Sequence, residues 1–165
     1  MHITIVAVGR LKENYLEAAA AEYLKRLTPY ARIKIREVKD EPCPDQGSLS
    51  DQEAAKAREA ARIEKVLQQL PGAGAASYRI VLDVAGTEMT SEGFARYLQQ
   101  LGLEGKSDLI FIIGGAAGLA PEILQAADLR LSFSRMTFPH QLMRVILLEQ
   151  IYRAFKIIKG EPYHR

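Results

Sequence analysis

The stretch DLIFIIGGAAGLAP, residues 108–121, gives the clearest indication of how this chain folds. Residues 110–113 are uniformly apolar, which is typical of a central parallel strand that helices cover on both faces. The strand leads directly into Gly114 and Gly115, where the missing side chains let another group approach the backbone. A buried strand that runs into glycine predicts an α/β protein whose loop meets a ligand. A glycine turn that serves packing alone remains an alternative.

Outward from this strand, short β-branched runs alternate with helical segments along the chain. We predict strands at 2–8, 32–38, 78–84, 108–113 and 128–133, and helices at 12–27, 51–70, 91–101 and 140–159, with a short helical turn that begins at Pro121. Residues 32–36 alternate between basic and apolar side chains, so that strand is expected near an edge of the sheet. The pattern predicts one α/β domain that spans residues 1–165.

Composition excludes several classes of protein. With 165 residues, of which 48% are hydrophobic and 25% charged, the chain resembles one ordinary globular domain. Its first residues show no secretory signal, and its longest uncharged stretch, 109–121, is well short of the roughly 20 apolar residues of a membrane span. Cys43 is the only cysteine, which excludes an internal disulfide or a cysteine-based zinc site. We therefore expect a soluble cytoplasmic protein that does not enter a membrane, with Cys43 inert.

Positive charge is concentrated near the end of the sequence. From residue 129 onward seven cations accompany two acids, whereas the net charge of the whole chain is only +2. The cations are Arg130, Arg135, Arg144, Arg153, Lys156, Lys159 and Arg165. They suit either a helix C-terminus, whose dipole favours cations, or a surface that binds phosphate groups. Composition does not decide between these interpretations.

The last predicted helix is apolar over most of its circumference. Its apolar residues are Leu142, Met143, Val145, Ile146, Leu147, Leu148, Ile151, Tyr152, Ala154, Phe155, Ile157 and Ile158. Such a helix must be buried on more than one side. Because the last helix of a short α/β chain usually lies outside its sheet, we favour a partner subunit as the second cover over a central position inside a monomer. The pattern predicts a homodimer formed through this helix, with Leu148 among the residues that the partner buries.

Three ordered motifs resemble one family of enzymes. They are the glycine loop at 114–118, the stretch LSFSRMTFPHQLMR at 131–144 and the terminal GEPYHR at 160–165. Together they resemble the SPOUT methyltransferases that methylate N3 of a pseudouridine in 23S ribosomal RNA. The similarity extends over essentially the whole chain, including residues 6–9 and 81–83.

The resemblance implies a small parallel-sheet SPOUT fold whose C-terminal part is tied into a trefoil knot. It implies S-adenosylmethionine as the methyl donor, no metal, and a homodimer that binds the ribosome. The cofactor-binding positions of the family correspond to Leu82, Gly114, Phe133, Ser134, Arg135, Met136, Thr137 and Phe138. The apolar members suit a cofactor that carries no phosphate and needs apolar walls and backbone groups.

The resemblance also implies a catalytic set that consists of His140, Tyr163, His164 and Arg165. Either histidine could handle the proton that N3 of the base must lose. Arg165 would stabilise charge on the uracil carbonyls, and Tyr163 would pack the tail or the base. Without the resemblance, we would interpret His140 as an ordinary polar residue at the start of a helix. We would interpret the tail as a frayed end of the chain.

Contacts with RNA are expected to come from arginines in the same part of the chain. Arg135, Arg144 and Arg153 are the candidates for phosphate contacts, and salt bridges within the dimer are the alternative for some of them. A single small domain is expected to recognise a preformed shape, so we expect the assembled ribosome to be the substrate.

Two alternatives from other classes remain. A non-catalytic ribosome-binding module would keep the fold without the cofactor. A dinucleotide oxidoreductase would bind NAD, but the loop reads Gly-Gly-x-x-Gly and not Gly-x-Gly-x-x-Gly, and no acid follows at the position where the ribose requires one. The sequence therefore gives the oxidoreductase little support.

Overall fold

The computed structural model describes residues 1–42, 48–71 and 77–164, so the predictions for Cys43 and Arg165 lie outside the described residues. In chain order the elements are β1 (His2–Val8), α1 (Asn14–Leu27), β2 (Arg32–Val38), α2 (Leu49–Gln68), β3 (Tyr78–Glu88), α3 (Ser91–Leu103), β4 (Asp108–Ile113), α4 (Pro121–Gln125), β5 (Leu129–Ser132) and α5 (His140–Ile158). Strands and helices alternate, as the sequence predicts.

The strands form one parallel sheet in the order β2-β1-β4-β3-β5. β4 lies in the middle, where Phe111 pairs with Ile5 of β1 and Ile112 pairs with Val81 of β3. β2 lies at one edge, beside β1. The predictions of a parallel sheet, a central strand at 108–113 and an edge strand at 32–38 are confirmed.

Helices cover both faces of the sheet because side chains of a strand alternate between the faces. Phe111 and Ile5 point into a core that α1, α3 and α5 cover. Ile110 and Ile112 point the other way, into a second core with α2 and α4. Every residue from Leu109 to Ile113 is buried, which explains the uniformly apolar sequence of β4.

The last helix occupies a position that the sequence did not predict. α5 packs between α1 and α3 on one face of the sheet, so its own chain covers most of its apolar circumference. Leu148 is 0% exposed within that core, and the expectation that a partner subunit buries it is wrong. Leu142 is exposed and Ile146 half-buried, which leaves a smaller apolar side of α5 facing outward.

β3 continues four residues beyond its predicted end. Its pairing with β5 shifts between Leu82 and Thr87 and then resumes, which carries the strand to Glu88. At this irregularity the backbone of Gly86 lies so close to β5 that a Cβ atom would be 2.6 Å from the carbonyl oxygen of Arg130. Only glycine tolerates such a close approach of the two backbones. The sequence around Gly86 lacks the alternation of apolar and polar residues that indicates a strand, so it did not predict this extension.

α2 faces the sheet with a stripe of residues four apart. The helix starts with a capping box, in which Ser48 and Asp51 exchange side-chain and backbone hydrogen bonds. Its buried residues include Ala55, Glu59, Ile63 and Leu67. This spacing places all four on one side of the helix, toward the second core.

Two further predictions concern the trefoil knot and the possibility of a membrane-spanning helix. The trefoil knot stays a prediction from the resemblance. Among the described helices, none combines the length and the apolar character that crossing a bilayer requires.

The position of α5 can be tested with one pair of leucines. Replacing Leu148 by Ala removes a side chain from the core and is expected to lower the free energy of unfolding by about 2 to 5 kcal/mol. Leu103 in α3 is 78% exposed, so Leu103→Ala is the matched control, with an expected change within about 0.5 kcal/mol. Urea denaturation at one protein concentration measures both. Equal losses for the two variants would contradict the assignment of Leu148 to the core.

Candidate functional site

A cleft of about 740 Å³ opens beyond the carboxyl ends of β4 and β5 and beside the irregularity in β3. The glycine loop that follows β4 forms one wall, from Gly114 to Leu119. The segment between β5 and α5 forms another wall, and the start of α5 also lines the cleft. Ligands of open parallel sheets bind in crevices of this kind, outside the carboxyl ends of the strands.

Seven of the eight cofactor-binding residues that the resemblance implies line this cleft. They are Leu82, Gly114, Phe133, Ser134, Met136, Thr137 and Phe138. The eighth, Arg135, does not line the cleft, because its side chain is 91% exposed and its Nε lies 3.2 Å from a carboxylate oxygen of Glu88. These residues come from three separate segments: the irregular part of β3, the loop after β4 and the segment after β5. The cofactor role of each residue remains a prediction.

Packing explains why the loop after β4 contains glycine. A Cβ atom at Gly114 would lie 2.9 Å from Cγ of Leu119, and one at Gly115 would lie 2.9 Å from Oε1 of Glu59. Gly118 has a φ of +82°, a left-handed conformation that favours glycine. The packing interpretation of the loop is thus correct at Gly114 and Gly115, and all three glycines also line the cleft.

Glu59 is a buried acid that the sequence analysis missed. Its side chain is 4% exposed behind the glycine loop, and Oε1 accepts the backbone N–H of Glu41 at 3.0 Å. Oε2 is buried without a hydrogen-bond partner among the described residues. Burial raises the pKa of the Glu59 carboxyl above its ordinary value. The sequence does indicate this buried acid, because Glu59 interrupts the apolar stripe of α2 between Ala55 and Ile63.

His140, the first residue of α5, lines the cleft as a potential base. Its Nε2 lies 3.2 Å from the position of a Cβ atom at Gly9, at the end of β1. Burial lowers the pKa of His140, Asp40 opposes this shift, and the charges of Arg144 and Lys12 reinforce it. A neutral imidazole at neutral pH can accept a proton from a group bound in the cleft.

Residues 160–164, the described part of the C-terminal tail, do not line the cleft of their own chain and pack on α1, α3 and α5. The Tyr163 hydroxyl donates to Oε1 of Glu149 at 3.1 Å and lies 3.4 Å from the hydroxyl of Tyr23. The Tyr163 ring lies against Tyr152, with ring centroids 4.9 Å apart. Burial raises the pKa of Tyr163. Tyr163 is therefore packed in place and is not part of a frayed end, and its proposed catalytic role stays a prediction.

His164 anchors the tail to the start of α3. The Arg153 guanidinium donates to Nδ1 of His164 at 3.2 Å, and Nε2 of His164 lies 2.8 Å from Oε1 of Glu92. This arrangement suits the neutral imidazole with its proton on Nε2. The hydrogen bond from His164 lowers the pKa of Glu92 to about 2. Of the two candidate histidines, His140 alone lines the cleft in the described part of the chain.

Each of the three arginines proposed to contact RNA phosphates is paired with an acid of the same chain. Arg144 is 2% exposed and donates to Glu37 at 2.6 Å and to the carbonyl of Gly9 at 2.7 Å, so its predicted contact with an RNA phosphate is wrong. Arg153 pairs with Glu149 at 2.5 Å. The exposed Arg135 remains the best placed of the three candidates.

The charged side chains do not form an evident metal site. Among residues 1–42, 48–71 and 77–164, no three His, Asp or Glu side chains are grouped so that they could hold a metal ion.

Comparison with known proteins confirms the resemblance that the three motifs indicate. The family model described as "Predicted SPOUT methyltransferase" matches residues 1–164. The chain is 53% identical over 165 residues to the ribosomal RNA large subunit methyltransferase H of Clostridium kluyveri, and 53% identical over 165 residues to that of Carboxydothermus hydrogenoformans. Each alignment covers 100% of both chains.

Two solved structures share the fold at low sequence identity. A protein described as a methyltransferase from Legionella pneumophila, solved with its cofactor SAM bound, is 11% identical with a TM-score of 0.51. A methylase family protein from Haemophilus influenzae is 14% identical with a TM-score of 0.52. The matches cover 93% and 96% of this chain, and 66% of each of those structures.

The buried carboxyl of Glu59 predicts a pH-dependent stability. Since its folded-state pKa is raised, the neutral form stabilises the protein fully below the ordinary pKa of 4.5, and that stability is lost as the pH rises through the folded-state value. The free energy of unfolding of Glu59→Gln, minus that of the unmutated protein, should therefore grow more positive from pH 4.5 to pH 8. Urea denaturation across this range measures it. Glu53→Gln, at an exposed position of α2, should give a flat difference, and a flat difference at Glu59 would contradict the prediction.

Proposed function

The chain belongs to the SPOUT methyltransferase family, and we propose that it transfers a methyl group from S-adenosylmethionine to N3 of a pseudouridine in 23S ribosomal RNA. The observation that carries this proposal is the single cleft in which seven predicted cofactor-binding residues meet. Full-length relatives at 53% identity support the ribosomal RNA as the substrate class. The choice of pseudouridine and of N3 rests on the resemblance of the motifs.

The walls of the cleft fit the proposed cofactor. Leu82, Phe133 and Phe138 supply apolar surface for an adenosyl group, while Ser134 and Thr137 supply hydroxyl groups. The loop at Gly114 leaves its backbone accessible for polar contacts with the ligand. A volume of about 740 Å³ lies within the range of pockets for small organic ligands. When bound, the cofactor supplies an electrophilic methyl group, so no metal is needed to activate it.

The remaining chemical task is to remove a proton from N3 of the base. We assign this step to His140, because it lines the cleft and its lowered pKa keeps the imidazole neutral and able to accept the proton. His164, the second candidate for this proton, and Tyr163 stay proposed members of the catalytic set, with Tyr163 packing the tail against Tyr152. Arg165 keeps its proposed role in stabilising charge on the uracil carbonyls.

A homodimer is proposed for a reason other than the one the sequence suggested. Val84, Met136 and Phe138 line the cleft and are exposed, and the exposed Leu142 lies beside them in the chain at the start of α5. Apolar side chains that are exposed together mark an interaction surface. We propose that a second copy of the chain covers this rim.

The pairing of cations also supports the assembled ribosome as the substrate, and with it a cytoplasmic location. With Arg144, Arg153 and Arg130 engaged by acids, three cations from the last part of the sequence are less available for general attraction to RNA phosphates. Recognition would then depend on the shape of a preformed target.

Ligand-dependent stability distinguishes the proposed enzyme from the two alternatives. S-adenosylmethionine and its demethylated product should raise the melting temperature of the full chain, by the equivalent of about 2.7 kcal/mol at a hundredfold excess over the dissociation constant. NAD should cause no shift. A non-catalytic ribosome-binding module would respond to none of these ligands, and an oxidoreductase would respond to NAD.

His140 can be tested by its effect on rate and on the pH profile. His140→Gln should lower single-turnover methylation of ribosomes about a hundredfold to ten-thousandfold, while cofactor affinity changes only a few fold. Because the pKa of His140 is lowered, the rate of the unmutated enzyme should decline only below the ordinary histidine value of 6.5. His2→Gln, at an exposed position, is the control and should leave both quantities unchanged. A His140→Gln enzyme that keeps more than a tenth of the rate would refute the assignment.

A further inference from the structure

The cleft contains two fully charged side chains, and one of them is already engaged. Lys56 of α2 and Asp83 of β3 both line it. Oδ2 of Asp83 accepts hydrogen bonds from Nε and Nη2 of Arg130, at 2.8 and 2.5 Å, and Oδ1 accepts the backbone N–H of Ala85 at 3.2 Å. Asp83 therefore has little capacity left to hold a charged group of a ligand.

Lys56 carries the only full positive charge among the described residues that line the cleft. No salt bridge within residues 1–42, 48–71 and 77–164 involves it. The neighbouring cations of the same helix, Arg58 and Arg62, both pair with Glu41. Lys56 thus differs from these two arginines because it lines the cleft and has no carboxylate partner among the described residues.

The helix geometry places Lys56 at the glycine-loop end of the cleft. Glu59 follows it by three residues, and residues three apart lie on the same side of a helix. The carboxyl of Glu59 packs directly behind Gly115. Lys56 therefore lies near the wall formed by residues 114–119, whereas Phe133, Met136 and Phe138 belong to the wall formed by the segment between β5 and α5.

We propose that Lys56 binds the α-carboxylate of the methionine portion of the cofactor. This inference rests on the proposed function and adds the residue that recognises the amino-acid end of the ligand. The adenosyl end is uncharged and suits the apolar wall, and the carboxylate is the only anionic group of the molecule. A lysine is a compact point charge on a flexible chain and can follow a carboxylate at the mouth of a cleft. Lys56 then distinguishes ligands that carry the amino-acid group from those that lack it.

Two ligands that differ in the amino-acid group test this role. S-adenosylhomocysteine retains the carboxylate, whereas 5′-methylthioadenosine has the same thioether nucleoside without it. Titration calorimetry with the full chain should show that Lys56→Gln lowers the affinity for S-adenosylhomocysteine about tenfold, while the affinity for 5′-methylthioadenosine changes less than twofold. Lys56→Arg should recover part of the loss. Lys65→Gln is the matched control, because Lys65 is exposed on the same helix and does not line the cleft.

The other outcomes identify which proposal fails. Equal losses for both ligands, or no loss for either, would overturn the role of Lys56 while leaving the cofactor proposal standing. Unchanged cofactor affinity with a raised KM for ribosomes would assign Lys56 to an RNA phosphate and would also overturn it. If the unmutated protein binds neither S-adenosylmethionine nor S-adenosylhomocysteine, the proposed function fails, and this inference fails with it.

Discussion

The burial of β4 on both faces and both edges is the constraint on which the rest of the structure depends. Phe111 needs the layer of α1, α3 and α5, and Ile112 needs the layer of α2 and α4. β1 and β3 must flank the strand so that its backbone groups are paired. This arrangement brings the end of β4 to the centre of the sheet, where loops from both sides meet above it. The cleft is a direct consequence of that position.

The glycine loop packs tightly against its neighbours and also forms a wall of the cleft. On one side it packs so closely against Leu119 and Glu59 that Gly114 and Gly115 leave no space for side chains. On the other side the same backbone lines the cleft. Holding the loop in this way places the buried acid Glu59 behind it, with one oxygen lacking a partner among the described residues. Burying a polar group without a hydrogen-bond partner is unfavourable, and this one lies directly behind the wall of the cleft.

Several cations that the sequence suggested for RNA binding form ion pairs within the chain. A cluster of cations in the last part of the sequence suggests a surface for phosphates, yet Arg144 lies in the core and Arg153 is shared between Glu149 and His164. These contacts fix the start of α5 and the tail. These two arginines therefore hold segments of the same chain together.

The sequence by itself determined the alternation of strands and helices, the central and edge strands, the glycine loop and the family. These features follow from local periodicity and from short motifs, because burial on one or both faces leaves a pattern in neighbouring residues. The tertiary structure alone decided that α5 lies between α1 and α3, that β3 continues past Gly86, and that Lys56 faces the cleft. It also decided that Arg144 binds Gly9, a partner 135 residues away. Such choices depend on which distant segments the topology brings together, and no local pattern records the identity of a distant neighbour.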